Sequence, residues 1–277
     1  MMLIRRNLGV TLVELIVVIA ITGIVAAAVA LFIRRPVEGY ADAARRAALT
    51  DEADTALRRI TRDLRLALPN SVRVDGSGKF VEYIETTGGG RYRAELDSGG
   101  GGNPLDFTAA DTTFDVLGPM PTLAAGNGIV VYNLYSTGTT SNAYFGDNRA
   151  NYSSVSAPTI TITAVTSLPF PAPSPGKRFH VVSGPVTYGC VGSQLLRYSG
   201  YAYNAAQVAP PVGATTTAVL AANVNTGPSG CQFVYSANAL TESIGTVSMV
   251  LQIDSLAASG ATEKVRMFQQ AQVSNLP

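Results

Sequence analysis

The chain has 277 residues, with 20 Lys and Arg against 19 Asp and Glu and a net charge of +1. From Gly76 onward nine Lys/Arg stand against eleven Asp/Glu, so no basic face emerges and nucleic-acid binding is not indicated. The length allows an anchor and one substantial domain, and a low charge content with abundant Gly, Ser, Thr and Ala suits an extracytoplasmic β-rich domain better than a cytosolic enzyme.

Residues Met1–Gly9 are short and basic, carrying Arg5 and Arg6, and end in glycine. Val10–Ile33 follows as an apolar run whose one ionisable side chain is Glu14. As a helix this run is ~36 Å long at ~1.5 Å per residue, enough to cross a bilayer core. A carboxylate inside it costs ~2.5 kcal/mol or more on insertion scales. Helix physics alone leaves two readings of Glu14 open: an acid tolerated near an interface, or an acid with a task. A secretory signal peptide places its small residues after the apolar region. Here Gly9 comes before it, so cleavage after Gly9 leaves the apolar segment on the mature chain. Arg34 and Arg35 balance Arg5 and Arg6 across the run, so the positive-inside rule gives close to a tie for orientation.

Beyond the run, Leu49, Ala53, Leu57, Ile60, Leu64 and Leu68 recur at steps of three and four and define one apolar helix face. Arg58, Arg59, Arg62, Asp63 and Arg65 fill the other faces and read as a solvated surface. Pro69 and Asn70 are expected to end this helix, and Pro36 with Gly39 to kink or loosen it. From Ser71 the signals change to strands and turns, expected at Phe80–Glu85, Thr113–Leu117, Ile129–Tyr135, Thr159–Ala164, Phe179–Tyr188, Gln194–Tyr198, Cys231–Tyr235, Thr246–Ile253 and Val265–Val273. Gly88–Gly90 and Gly99–Gly102 read as loop tips, Pro169–Pro175 as a stiff connector and Ala205–Pro228 as a long surface excursion. The fold class is therefore α+β, with a long N-terminal helix packed on an antiparallel β head of two sheets. Cys190 and Cys231 are the two cysteines of the chain. Either they pair, which requires an oxidising compartment, or they are two buried free thiols.

Catalytic patterns are weak. His180 is the sole histidine and sits in a strand-like run, where a structural role is expected; no Cys or second His accompanies it for zinc. The glycine runs lack the Lys-Ser/Thr of a phosphate loop, and no GxSxG occurs. Asp106, Asp111 and Asp115 lack the dense oxygen alternation of a calcium loop and read as surface acids. Tyr198, Tyr201 and Tyr203 cluster near Gly200, with packing on the head expected over an exposed contact surface. No catalytic residue, metal or cofactor is expected.

The basic leader ending at Gly9, the Thr11–Leu15 stretch TLVEL and Glu14 together resemble the class III signal of type IV prepilins and pseudopilins. The resemblance implies cleavage between Gly9 and Val10 by a cytoplasm-facing prepilin peptidase, which also N-methylates Val10. The family usually has phenylalanine where this chain has Val10. It further implies that Glu14 meets the N-terminal amine of a neighbouring subunit's Val10 and sets the register of assembly, since opposite charges attract strongly in a low-dielectric bundle. Arg35–Val74, Gly176–Cys190, Gln194–Tyr201 and Glu263–Pro277 resemble minor pilins of the mannose-sensitive haemagglutinin (MSHA) pilus and, more distantly, the J-type minor pseudopilins of type II secretion.

The expected organisation is a cleaved leader over 1–9, a transmembrane or filament-core helix over 10–33, an amphipathic stem over 34–69 and an extracytoplasmic head over 70–277. The implied location is the inner membrane, single pass, with the N-terminus cytoplasmic and the head periplasmic. After assembly the chain would sit in the pilus or pseudopilus. The implied partners are the prepilin peptidase, other minor and major pilins through the N-terminal helix, and the inner-membrane assembly platform. Three functional classes stay open: a minor pilin that initiates, primes or caps a pilus, a minor pseudopilin of a secretion system, and a tip adhesin whose head binds a ligand.

Overall fold

Leu49, Ala53, Leu57, Ile60 and Leu64 lie on one stripe of a helix, and every one of them is buried. That helix, α1 (Leu12–Leu64), is 53 residues long. Pro36 lies inside it and Gly39 follows within the same helix; Pro36 withdraws one backbone donor, yet the helix carries on. The computed structural model describes residues 9–164, 170–237, 243–256 and 262–277. The molecule divides into two compact units. One takes the chain up to Ala48 together with Leu256–Glu263, the other Leu49–Ser255 and Lys264–Pro277. In the first, Arg46 Nε lies 2.6 Å from Glu263 Oε1.

The helix closes at Leu64, short of the expected stop at Pro69. The chain there turns to join a sheet: Ala67 N–H donates to Leu64 O in a tightened last turn, Leu68 N–H donates to Ile84 O, and Ala67 bridges Glu85. Tertiary pairing thus outcompetes another helical turn. Asn70 follows with φ 58°, in the left-handed region that asparagine tolerates, and its Nδ2 donates to the carbonyls of Asn133 and Asn275.

The strands are β1 (Arg73–Val74), β2 (Phe80–Tyr92), β3 (Thr113–Leu117), β4 (Gly128–Val131), β5 (Arg149–Ser156), β6 (Thr159–Ala164), β7 (Arg178–Val191), β8 (Gln194–Ser199), β9 (Thr216–Ala221), β10 (Cys231–Ala237), β11 (Ile244–Leu256) and β12 (Thr262–Ser274). They form a nine-stranded sheet, ordered β1-β2-β3-β6-β5-β4-β7-β8-β9, and a three-stranded sheet, β10-β11-β12. β2 also pairs with β7 along almost its whole length, from Phe80 opposite Gly189 to Arg91 opposite Arg178. This pairing closes a ring, β2-β3-β6-β5-β4-β7 and back to β2, in which every pairing is antiparallel. Such closure removes free edges from these six strands. The ring encloses its own core, built on Tyr92, Phe114, Ile129, Ile160, Phe170 and Phe179. Phe170, expected in a stiff connector, is 1 % exposed and belongs to that core.

Gly88–Gly90 is not a loop tip but lies within β2. The reason is steric. A Cβ on Gly89 would sit 2.7 Å from the Phe179 carbonyl oxygen, and one on Gly90 3.0 Å from the Phe179 ring. The glycines at 89 and 90 let the paired strand bring its backbone and that ring in close. Gly99–Gly102 is a turn, folded around the Asp97 carboxylate, which accepts the N–H groups of Gly99 and Gly101. The excursion from Ala205 to Pro228 contains β9, which adds to β8 with its first four side chains exposed. An edge strand solvated on both faces has no alternating pattern to betray it. β5, also unforeseen, is paired on both edges but ends in four exposed side chains, three of them serine, so it too shows no alternation. β4 stops at Val131 because Tyr132 takes φ 52°.

A second core joins the Leu49–Leu64 stripe to both sheets: Val81 and Tyr83 of β2, Val186 and Tyr188 of β7, Phe233 of β10, Met249 and Leu251 of β11, and Ala271 and Val273 of β12. Each fully buried Leu or Ile of α1 here contributes ~1.5–3 kcal/mol of apolar transfer. Cys190 at the end of β7 and Cys231 at the start of β10 form a disulfide that ties the two sheets together. Closing a loop with a separation of 41 residues stabilises by about 4 kcal/mol in the chain-entropy picture.

Candidate functional site: the N-terminal helical segment

α1 begins immediately after Thr11, and that threonine is its N-cap: the Glu14 backbone N–H donates to Thr11 Oγ1 at 3.2 Å. Thr-Leu-Val-Glu places an acid at the third helical position, the sequence form of a capping box. The observed bond is made by the backbone at position 14, so the cap belongs to Thr11 and leaves the Glu14 carboxylate free of it. An acid in the first turn also sits favourably in the field of the helix N-terminus. Gly9 and Val10 precede the helix in non-helical backbone and are exposed, with nothing packed where a Gly9 Cβ would point. The Gly9–Val10 peptide is thus exposed and outside the helix. Arg5 and Arg6 lie outside the described residues.

From Leu12 to Ile33 the helix is long and apolar enough to span a membrane, and none of that span is buried within the molecule. Phe32 is 83 % exposed and Leu12 75 %. At ~1.5 Å per residue these 22 residues reach about 33 Å. The one hydroxyl on the stretch after Glu14, Thr22, donates to Val18 O at 2.6 Å, so it carries no unsatisfied donor into lipid or protein. A surface this apolar must be covered by bilayer, by other subunits, or by each in turn.

The remaining candidates are structural in their geometry. His180 is half-buried in β7 between β2 and β4, and its Nε2 has no hydrogen-bond partner. Among the described residues no cluster of His, Cys, Asp or Glu is arranged to hold a metal ion. Burial, with the Arg178 charge adding to it, lowers the His180 pKa from 6.5 to about 4. The folded state therefore resists a proton that the unfolded chain takes up below pH 6.5. Stability should fall as pH drops through that window, and His180→Gln should flatten the loss. Melting temperatures at pH 7 and pH 5 check this; an equal drop in both proteins assigns the effect to other groups.

Asp115 is not the surface acid expected. It is 6 % exposed and accepts hydrogen bonds from Thr159 Oγ1 at 2.7 Å and from the Asn103 N–H at 2.9 Å, with Arg93 Nε 3.4 Å away. The Thr159 hydroxyl above all holds its carboxyl below the usual range. Asp111 caps its own loop, accepting the N–H of Asp106 and of Thr113. Tyr201 is buried and its hydroxyl lies 2.6 Å from Thr187 Oγ1 and donates to Glu82 at 3.0 Å. Tyr203 stacks under the Arg149 guanidinium, and burial pushes its pKa up to about 12.

One buried constellation went unread in the sequence. Arg73 is 6 % and Glu82 2 % exposed, with Arg73 Nε 2.7 Å from Glu82 Oε2. Arg73 also donates to the carbonyls of Ala205 at 2.8 Å and Asn204 at 2.9 Å, and lies over the Tyr144 ring. A second network anchors α1: the Tyr188 hydroxyl donates to Asp63, and Arg197 pairs with Asp63 and with Glu85.

The profile of the prokaryotic N-terminal methylation motif matches residues 4–30. No curated protein and no solved structure matches the chain. The motif and the exposed apolar helix support a type IV pilin-like, membrane-anchored protein, and the helix with its large antiparallel β region is an α+β, pilin-like fold. The motif implies processing by a prepilin peptidase and assembly with other pilins, and points to a structural protein.

Proposed function

We propose that this chain is a minor pilin that helps initiate, prime or cap an MSHA-like type IV pilus. The observation that carries this reading is the methylation motif on a helix whose Leu12–Ile33 surface is wholly exposed. Cleavage after Gly9 releases the amine of Val10, which is then methylated. The apolar span first sits in the inner membrane, with the head on the periplasmic side, and then packs among neighbouring helices. Glu14 compensates the Val10 amine of the adjacent subunit and so selects one axial register. The Cys190–Cys231 disulfide agrees with a head that folds in an oxidising compartment. The choice of the MSHA system rests on the resemblance of Arg35–Val74 and the head segments to MshO-type minor pilins.

A minor pseudopilin of type II secretion draws the same support from the motif. Counting surface pili by electron microscopy, in a strain lacking the gene and in its complemented derivative, separates the two. Loss of pili restored by complementation is the expected result. Normal pilus number and length with a defect in protein secretion would instead assign the chain to the secretion machinery.

A further inference from the structure

β12 ends the three-stranded sheet, and among the described residues its one strand neighbour is β11. It is 13 residues long and contains no proline. At Gln269 β12 meets the arginine face of α1. There Arg58, Arg59, Arg62 and Arg65, with Gln269 of β12, line a groove of about 560 Å³. Thr61, also on this groove, is 7 % exposed and its buried Oγ1 has no hydrogen-bond partner. Asp54 holds Arg58 at 2.5 Å, and Asp63 lies 3.8 Å from Arg62. Among the described residues Arg59 and Arg65 make no ion pair. On the outward face of β12, Lys264 and Arg266 are exposed and precede Phe268, which is 61 % exposed and is followed on that face by Gln270 and Gln272.

Edge strands often carry lysine or arginine to prevent self-pairing. Here the cations stand on both sides of the edge. A second copy of β12 would bring two cations, Lys264 and Arg266, against the single acid Glu263, whereas an acidic strand would meet complementary charge. We propose that β12 accepts an added β-strand from a second, acidic protein. Its alternate carboxylates reach Arg62 and Arg65 on one face and Lys264 and Arg266 on the other, and an apolar residue covers Phe268. Backbone pairing supplies the affinity and the charges select the partner. This surface does not depend on the pilin reading.

The test uses the full chain in detergent and a fluorescent peptide of about ten residues alternating Glu with Val or Thr, long enough to pair along a strand edge. The acidic peptide should bind and slow hydrogen exchange at the β12 amides; its Lys-for-Glu counterpart and a version with a central proline should not bind. Arg62→Glu with Arg65→Glu should weaken binding about tenfold or more, the size expected for reversing two partly desolvated contacts. Phe268→Glu should weaken it independently of the groove. Equal binding of the proline peptide, or binding without added protection of β12, overturns the proposal in favour of charge attraction alone. Arginine-dependent binding to phosphatidylglycerol vesicles without binding of the peptide overturns it in favour of a membrane surface.

Discussion

Replacing Glu14 by alanine is expected to leave the chain inserted and cleaved after Gly9 but absent from sheared filaments, and to reproduce the pilus count of the deletion strain. The capping geometry makes a second substitution informative. Glu14→Gln keeps a side chain at the third helical position able to complete the Thr11 cap but removes its charge. If Glu14 sets the register by meeting the amine of Val10 on the adjacent subunit, the glutamine variant should fail as the alanine variant does. A carboxylate and an ammonium at contact in a water-poor helix bundle attract by several kcal/mol, and an unpaired amine there is penalised by a comparable amount. Immunoblots of sheared pili read the result. Filaments from the glutamine variant but not the alanine variant would reduce Glu14 to a helix cap.

Arg73→Met is expected to lower stability by about 3–5 kcal/mol, the usual cost of stranding one partner of a buried ion pair. For a domain of this size the melting temperature then falls on the order of 10 °C. The substitution leaves Glu82, 2 % exposed, without its guanidinium, and orphans the carbonyls of Asn204 and Ala205 and the face of the Tyr144 ring. Arg73 thereby joins β1 and β2 to two separate loops. Pairing Arg73→Met with Glu82→Leu should recover part of the loss, because the second change removes the stranded charge. A double-mutant cycle by chemical denaturation measures the coupling. Additive losses from the two single variants would show that the carbonyls, not the ion pair, carry the effect.

The apolar stripe from Leu49 to Leu64 was legible because a helix repeats every 3.6 residues and one face of α1 is covered. β6 was legible for the analogous reason, with a period of two. Gly88–Gly90 misled because glycine usually marks a turn. Here it marks space for Phe179, a residue of a facing strand far along the chain. Asp115 misled because a charge ordinarily means surface, and nothing in the sequence marks Arg73 as buried. Their partners lie at Glu82, Asn204 and Ala205, and at Thr159, and no local pattern announces them. The candidate site differs from the head in this respect. Gly9, Val10, Glu14 and the apolar span form a local pattern, matched by the methylation motif, so they stand out in the residues themselves. Only the Thr11 cap needed coordinates.

The sequence by itself therefore determined the membrane-length helix, its buried stripe, the methylation motif and the β character of the rest, all properties of neighbouring residues. The tertiary structure alone decided that six strands close into a ring, that β9 extends an edge, and that α1 stops at Leu64. Each of these follows from which non-local backbone groups satisfy one another, from Leu68 with Ile84 to Phe80 opposite Gly189, and such pairing leaves no period in the chain.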